Sequence, residues 1–117
     1  MSPKSEPIVI LIACPPGEPA AVLARGLVDG GLAACVNHLP GMRSTYRWKG
    51  ETVTEGEDLL LVKTVRAAFT AVETFVLAHH PYEVPEVVAL PMVEGHAPYL
   101  AWLEAETGAS HSGNGRS

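Results

Sequence analysis

The sequence MRSTYRWKGETVTE, residues 42–55, predicts two β-strands joined by a tight turn. Side chains alternate along the first arm, so that Tyr46 and Trp48 lie on one face and charged or hydroxyl side chains lie on the other. Lys49 and Gly50 form the centre of a two-residue hairpin turn, with glycine at a position that needs a positive φ angle. This hairpin decides the fold, because the remaining elements must be arranged around it.

The two arms of the hairpin extend well beyond the turn. The first arm reaches back to the apolar run of residues 32–36, across a bulge or kink expected at Pro40-Gly41. The second arm continues into the apolar run of residues 59–62. Arms of roughly 13 residues at about 3.3 Å per residue span about 40 Å, whereas a compact chain of this length is about 35 Å across. The tip should overhang the domain. Because an isolated ribbon cannot shelter Tyr46 and Trp48, the sequence predicts a homo-oligomer with both side chains in its interface.

The other elements of the chain follow from its hydrophobic periodicity. Residues 8–14 are typical of a strand buried on both faces, and an amphipathic helix runs from Glu18 to the glycine pair at 30–31. A second helix is predicted over residues 67–80, a strand over residues 86–93, and a short last helix from Pro98.

This order of elements is βαββαβ followed by a helix, which predicts an α+β fold. The expected architecture is a ferredoxin-like sandwich, with one antiparallel sheet, two helices on one face, a long β2–β3 hairpin and a C-terminal helix. Residues 8–107 should form a single domain, and residues 1–7 and 108–117 are predicted to be disordered.

The composition of the 117 residues excludes several classes of function. A net charge of −5 argues against nucleic-acid binding, which needs clustered lysines and arginines. The chain has no apolar run of membrane-spanning length and no signal-peptide core, so a soluble cytoplasmic protein with no membrane partner is expected. Cys14 and Cys35 each lie among apolar residues and are expected to be buried, reduced thiols rather than a disulfide or a zinc site.

Residues 78–86, AHHPYEVPE, concentrate side chains capable of chemistry. Pro81 and Pro85 bias the segment toward extended backbone, so it predicts a stiff link between a helix and a strand. A polar surface connection explains the composition equally well. His79 continues the apolar stripe of the second helix, whereas His80 should turn aside from it. The pattern therefore predicts that His79 is the structural residue and that His80 is the more accessible of the two as a ligand for a metal ion.

Motifs scattered over every element closely resemble the CutA divalent-cation tolerance family, from about Ile8 to Glu106. They are LAACVN at residues 32–37, Pro40-Gly41, Ser44-x-Tyr46-x-Trp48-Lys49-Gly50, Glu57, Lys63-Thr64, and HHPYxxPE at residues 79–86. The resemblance implies a homotrimer in which long hairpins pair with neighbouring subunits, and a fold similar to that of the trimeric nitrogen-regulatory signal transducers.

The resemblance also implies a metal site, at His79 and His80. Bacterial members that have been proposed to bind copper carry a cysteine near the end of the first strand, where this chain has Ile12. Some members also carry a cysteine in the second helix, where this chain has Phe75. Unless Cys14 reaches the site from its loop, two imidazoles and nearby carboxylates remain, a donor set that would bind Cu(II) or Zn(II) weakly.

Three functional hypotheses follow. The first is a trimeric protein that binds or responds to copper or another divalent cation. The second is a trimeric small-ligand, signalling or scaffolding module, with an intersubunit pocket formed by Glu57, Lys63, Tyr82 and Glu86. The third is a hydrolase or transferase that draws its acid and base from His79, Glu57, Glu83 and Glu86. The third is disfavoured because the sequence has no nucleophile elbow and no glycine-rich phosphate loop, so we expect no enzyme.

Overall fold

The computed structural model describes residues 5–107. The order along the chain is β1 (Pro7–Cys14), α1 (Glu18–Asp29), β2 (Cys35–Trp48), β3 (Glu51–Val65), α2 (Phe69–His79), β4 (Val87–Pro91) and α3 (Ala97–Ala105). The strands form one antiparallel sheet in the order β2-β3-β1-β4. The predicted α+β, ferredoxin-like βαββαβ fold with a C-terminal helix is therefore confirmed. In the described range, no helix is long and apolar enough to cross a membrane.

The hairpin between β2 and β3 has the predicted long arms and turn. Its strands contain 14 and 15 residues, and Lys49 and Gly50 have φ angles of 50° and 82°, as a two-residue turn of this kind requires. The register shifts between Leu39 and Met42, and Gly41 has a φ angle of 80°, so the predicted interruption is a β-bulge. The molecule measures 45 × 27 × 24 Å, longer in one direction than a compact domain of this size.

Several element ends differ from the predictions. β2 begins at Cys35 rather than at residue 32, because the N–H groups of Leu32 and Ala33 donate to the Leu27 carbonyl and close the end of α1. A 3₁₀ turn, Arg66–Ala68, precedes α2, which therefore starts later than predicted. β4 covers only the middle of the predicted range 86–93, and β1 begins one residue before the predicted domain start. Disorder was predicted for residues 1–7 and 108–117. Residues 1–4 and 108–117 lie outside the described residues, whereas Pro7 belongs to β1.

One face of the sheet packs against all three helices. The side chains that meet there are almost fully buried, and burial of each stabilises the fold by about 1.5–3 kcal/mol relative to an exposed side chain. They come from two strands and three helices: Ile10, Ile12, Leu60, Val62, Leu23, Leu27, Val72, Val76 and Leu103.

The opposite face of the sheet, here called the open face, is apolar and faces away from the helices. Leu11 pairs with Leu61 on one side and with Val88 on the other, and Val9 pairs with Leu90. Val88 and Leu90 are 47% and 46% exposed. The prediction that β1 is buried on both faces is wrong for the single chain, in which Val9 and Leu11 are only half-buried.

Candidate functional site

His80 lies at the junction of α2, β1 and the segment that follows α2. Pro81 holds its backbone in an extended conformation, with φ −83° and ψ 135°, and this turns the ring inward. Its Nε2–H donates to the carbonyl of Ala13 at 2.8 Å, and its Nδ1 accepts from the Tyr82 N–H at 3.1 Å. These partners fix the neutral tautomer and occupy both ring nitrogens. His80 is 7% exposed and is therefore a structural clamp between β1 and residues 81–86.

His79 has the opposite character, because its side chain is exposed. Its Nδ1–H donates to the Phe75 carbonyl at 2.8 Å, and its ring stacks on Phe75 with centroids 4.3 Å apart. The lone pair of Nε2 is therefore available to a ligand. The predicted roles of the two histidines are wrong and must be exchanged: His79 is the accessible imidazole and His80 is the structural one.

A spacing signal in the sequence could have found this assignment. The buried positions of the 3₁₀ turn and α2 recur every four residues, at Ala68, Val72 and Val76, and His80 continues that series. His79 falls one position off it. The predicted stripe reached His79 because it counted Phe75 as a core position beside Val76, but Phe75 is only half-buried.

A cavity of about 760 Å³ lies between the hairpin and residues 81–86. It brings together most of the residues predicted for a ligand pocket and for an interface, namely Tyr46, Trp48, Glu57, Tyr82 and Glu86. Lys63 does not line it; this residue lies further along β3, paired with Cys35 and Val9.

Two tyrosine–glutamate hydrogen bonds organise the wall of this cavity. The Tyr82 hydroxyl donates to Glu57 Oε2 at 2.9 Å, and the Tyr46 hydroxyl donates to Glu55. Burial, followed by the hydrogen bond to Glu57, raises the pKa of Tyr82 to about 12. The hydrogen bond to Glu55 is the main cause that raises the pKa of Tyr46. Both phenols therefore remain protonated donors at neutral pH.

Asp58 is a buried carboxylate that sequence reasoning missed. It accepts hydrogen bonds from the N–H of Gly17 at 2.9 Å, from Nε2 of His38 at 2.7 Å and from the N–H of Gly41 at 3.3 Å. These bonds, that of Gly17 first, lower the pKa of Asp58. The side chain ties the β1–α1 loop to the bulge of the hairpin. The sequence does carry a signal for Asp58: this charged residue precedes Leu60 and Val62 at a spacing of two, and therefore shares their buried face of β3.

Cys14 is fully buried in the core, whereas Cys35 is half-buried on β2, and neither forms a disulfide. Burial, with the nearby charges of Glu57 and Asp58, raises the pKa of the Cys14 thiol to about 11. In the metal-free protein Cys14 is therefore a protonated thiol at neutral pH. Among residues 5–107, no three His, Cys, Asp or Glu side chains are placed to hold one metal ion.

Comparison with known proteins identifies close relatives of this chain. Residues 8–106 match the family described as CutA1 divalent ion tolerance protein. A Divalent-cation tolerance protein CutA from Thermus thermophilus is 53% identical over 100 residues, which are 86% of this chain and 97% of that protein. Protein CutA from Mus musculus is 43% identical over 103 residues, 87% of this chain but only 58% of the mouse protein.

Solved structures show the same fold. The divalent cation tolerance protein (Cut A1) from Thermus thermophilus superimposes with a TM-score of 0.86 at 52% identity, over 87% of this chain and 99% of that one. CutA1 from Oryza sativa superimposes with a TM-score of 0.88 at 40% identity, over 93% of this chain and 100% of that one.

Proposed function

The chain belongs to the CutA1 divalent ion tolerance family, and we propose that it acts in divalent-cation tolerance as a homotrimer that binds copper or another divalent cation weakly. The proposed role is binding rather than catalysis. Two observations support it: the uncovered apolar face of the sheet supports the assembly, and the available nitrogen of His79 supports the metal site.

The observation that carries the assembly is the open face together with the hairpin tip. Val88 and Leu90 are nearly half exposed, and Tyr46 and Trp48 are 39% and 53% exposed at the far end of the same sheet. Apolar area of this kind on a small domain marks an interaction surface. A second and a third copy that lay their hairpins across it would bury both patches at once, which supports the predicted interface at Tyr46 and Trp48.

Replacing Val88 with arginine tests the assembly. In one chain this change sits on an exposed position and should alter stability by no more than about 0.5 kcal/mol, but in a trimer it would bury an unpaired charge. Val22 on α1 is 52% exposed on the other side of the molecule, so Val22→Arg is the matched control. Sedimentation should give three times the 12.4 kDa chain mass for the parent and the control, and less for Val88→Arg. A monomeric parent contradicts the proposal.

His79 carries the metal part of the proposal. Histidines that bind metals usually donate the other ring N–H to a carboxylate or a backbone carbonyl, and the Nδ1–H of His79 does so to Phe75. One imidazole, with water or carboxylate oxygens completing the shell, suits Cu(II) or Zn(II) with modest affinity. His80 contributes to the site only indirectly, since both its nitrogens are already hydrogen-bonded.

Calorimetric titration with Cu(II) tests this assignment. His79→Ala should weaken binding by about tenfold or more, as expected for loss of a principal ligand, whereas His80→Gln should bind as the parent does. Equal binding by the parent and His79→Ala would overturn the metal site, and loss of binding in His80→Gln alone would restore the assignment made from the sequence.

A second candidate function is small-ligand binding in the cavity beside the hairpin. The observation in its favour is the volume of about 760 Å³, which falls in the range of small-molecule sites. Three of the residues predicted for an intersubunit pocket, Glu57, Tyr82 and Glu86, line this cavity. Lys63 could join them only from another copy of the chain.

A further inference from the structure

We propose that Asp58 is a positioning residue for assembly: it joins the β-bulge of the hairpin to α1 and so sets the direction in which the hairpin leaves the domain. This inference rests on the assembly proposed above. It is carried by the place of Asp58 opposite the bulge, by the elements that its hydrogen bonds connect, and by the length of the hairpin beyond it. The group is called here the Asp58 junction and consists of Asp58, His38, Gly17 and Gly41.

Asp58 lies on β3 directly opposite the bulge. The register shift between Leu39 and Met42 leaves residues 40 and 41 facing Asp58 across the ladder. A bulge bends its strand and takes a backbone group out of the regular pairing. At this bulge the N–H of Gly41 donates to Oδ1 of Asp58 at 3.3 Å. The carboxylate therefore holds the bend of β2 from the neighbouring strand.

The other oxygen of the same carboxylate reaches α1. Oδ2 accepts the N–H of Gly17 at 2.9 Å. Gly17 is the N-cap of α1, and its carbonyl accepts from the N–H of Ala21 at 3.2 Å, so Gly17 is fixed to the first turn of the helix. Leu23 and Leu27 of that helix are buried in the core. The junction therefore attaches the bulge to an element that core packing holds in place.

His38 supplies a third contact, from β2. Its Nε2 lies 2.7 Å from Oδ2 of Asp58, and the Asp58 side chain is only 4% exposed. Because its hydrogen bonds lower the pKa of Asp58, the carboxylate is ionised at neutral pH and these bonds are charge-assisted. Three donors on one buried carboxylate hold it in a single orientation, which makes the junction rigid.

The length of the hairpin beyond the bulge amplifies any change at the junction. Between Met42 and Trp48 the extended strand covers about 20 Å. A change of about 10° in the direction of the strand at the bulge would then move Trp48 by about 3.5 Å. Side chains in contact lie about 4 Å apart, so a shift of this size removes contacts between the tip and another copy. The core of the chain would remain intact.

Subunit exchange tests the proposal. Unlabelled and nitrogen-15-labelled samples of the intact protein are mixed, and native mass spectrometry follows the appearance of mixed assemblies, which reports dissociation. Asp58→Ala should exchange at least about tenfold faster than the parent, because interface changes act mainly on dissociation. His38→Ala keeps both backbone bonds of the carboxylate and should exchange about threefold faster. This milder variant keeps the test decisive if Asp58→Ala fails to fold.

Thr64→Val is the matched control. Thr64 is buried near the other end of β3, and its hydroxyl donates to the Leu32 carbonyl at 2.7 Å. The variant therefore loses a buried hydrogen bond and some stability in urea without touching the bulge. Its exchange rate should stay within about twofold of the parent, since a folded subunit dissociates in both proteins.

Three results would overturn the proposal. Unchanged exchange in Asp58→Ala and His38→Ala, with a trimeric parent, overturns the role of Asp58 and leaves the assembly standing. An acceleration in Thr64→Val as large as that in Asp58→Ala would show that exchange follows stability alone. A parent that sediments as a monomer overturns this inference together with the assembly on which it rests.

Discussion

Replacing His80 with alanine should destabilise the protein far more than the same change at His79. The substitution removes the ring that joins two parts of the chain, leaving the Ala13 carbonyl and the Tyr82 N–H without their partner. Loss of two hydrogen bonds at a buried position, together with a small cavity, should lower the free energy of unfolding by about 2–4 kcal/mol. At His79 only an exposed bond to Phe75 and a ring stack are lost, so His79→Ala should cost less than about 1 kcal/mol.

Urea unfolding at one fixed protein concentration measures this difference, since assembly makes apparent stability depend on concentration. The urea concentration at the midpoint of unfolding should fall by about 1–2 M for His80→Ala, and by only about 0.3 M for His79→Ala. Partial rescue sharpens the test. Glutamine at position 80 can restore the donor to the Ala13 carbonyl, and asparagine can restore the acceptor for the Tyr82 N–H. Each of these variants should therefore lose less stability than His80→Ala does. An equal or larger loss in His79→Ala would refute the assignment of His80 as the clamp.

Three further predictions concern the hairpin, the buried carboxylate and the thiol. Deleting residues 47–52 removes the tip that carries Trp48, and sedimentation should then show monomers or aggregates; an intact trimer would place the interface elsewhere. Because hydrogen bonds lower the pKa of Asp58, its carboxylate stabilises the fold above the unfolded value of about 4, and that contribution is lost as pH falls through the folded value. Asp58→Asn should therefore be less stable than the parent at pH 7, and its free energy of unfolding should fall less than that of the parent between about pH 4 and pH 2. Acid-unfolding curves measure this difference, and parallel curves for the two proteins would exclude this role of Asp58. In a Cys35→Ser background, Cys14 should react with a thiol reagent at pH 7.5 roughly a hundredfold more slowly than an ordinary cysteine, and rapid native labelling would show that it is accessible.

The hairpin could be predicted from sequence because its signals are local. Strict alternation, the Lys49-Gly50 pair and the interruption at Pro40-Gly41 each act over a few residues, and all three appear in the structure. The order of apolar segments around it then left the ferredoxin-like sandwich as the natural arrangement.

The site was harder to predict because its contacts cross the fold. Which face of α2 is buried depends on packing against the sheet, and a shift of one position exchanged the roles of His79 and His80. The hydrogen bond from Tyr82 to Glu57 joins residues 25 apart, and that from His80 to Ala13 joins residues 67 apart. No periodicity encodes such pairings. Asp58 was missed for the same reason, since its donors come from two other elements.

Pulsed electron paramagnetic resonance of the Cu(II)-loaded protein tests the central claim most directly, namely that this chain binds a divalent cation through Nε2 of His79. Binding through Nε2 leaves Nδ1 as a remote nitrogen, hydrogen-bonded to the Phe75 carbonyl. The parent and His80→Gln should show the modulation of one remote imidazole nitrogen, and His79→Ala should not. Modulation that persists in His79→Ala, or that disappears in a folded His80→Gln protein, would contradict the claim.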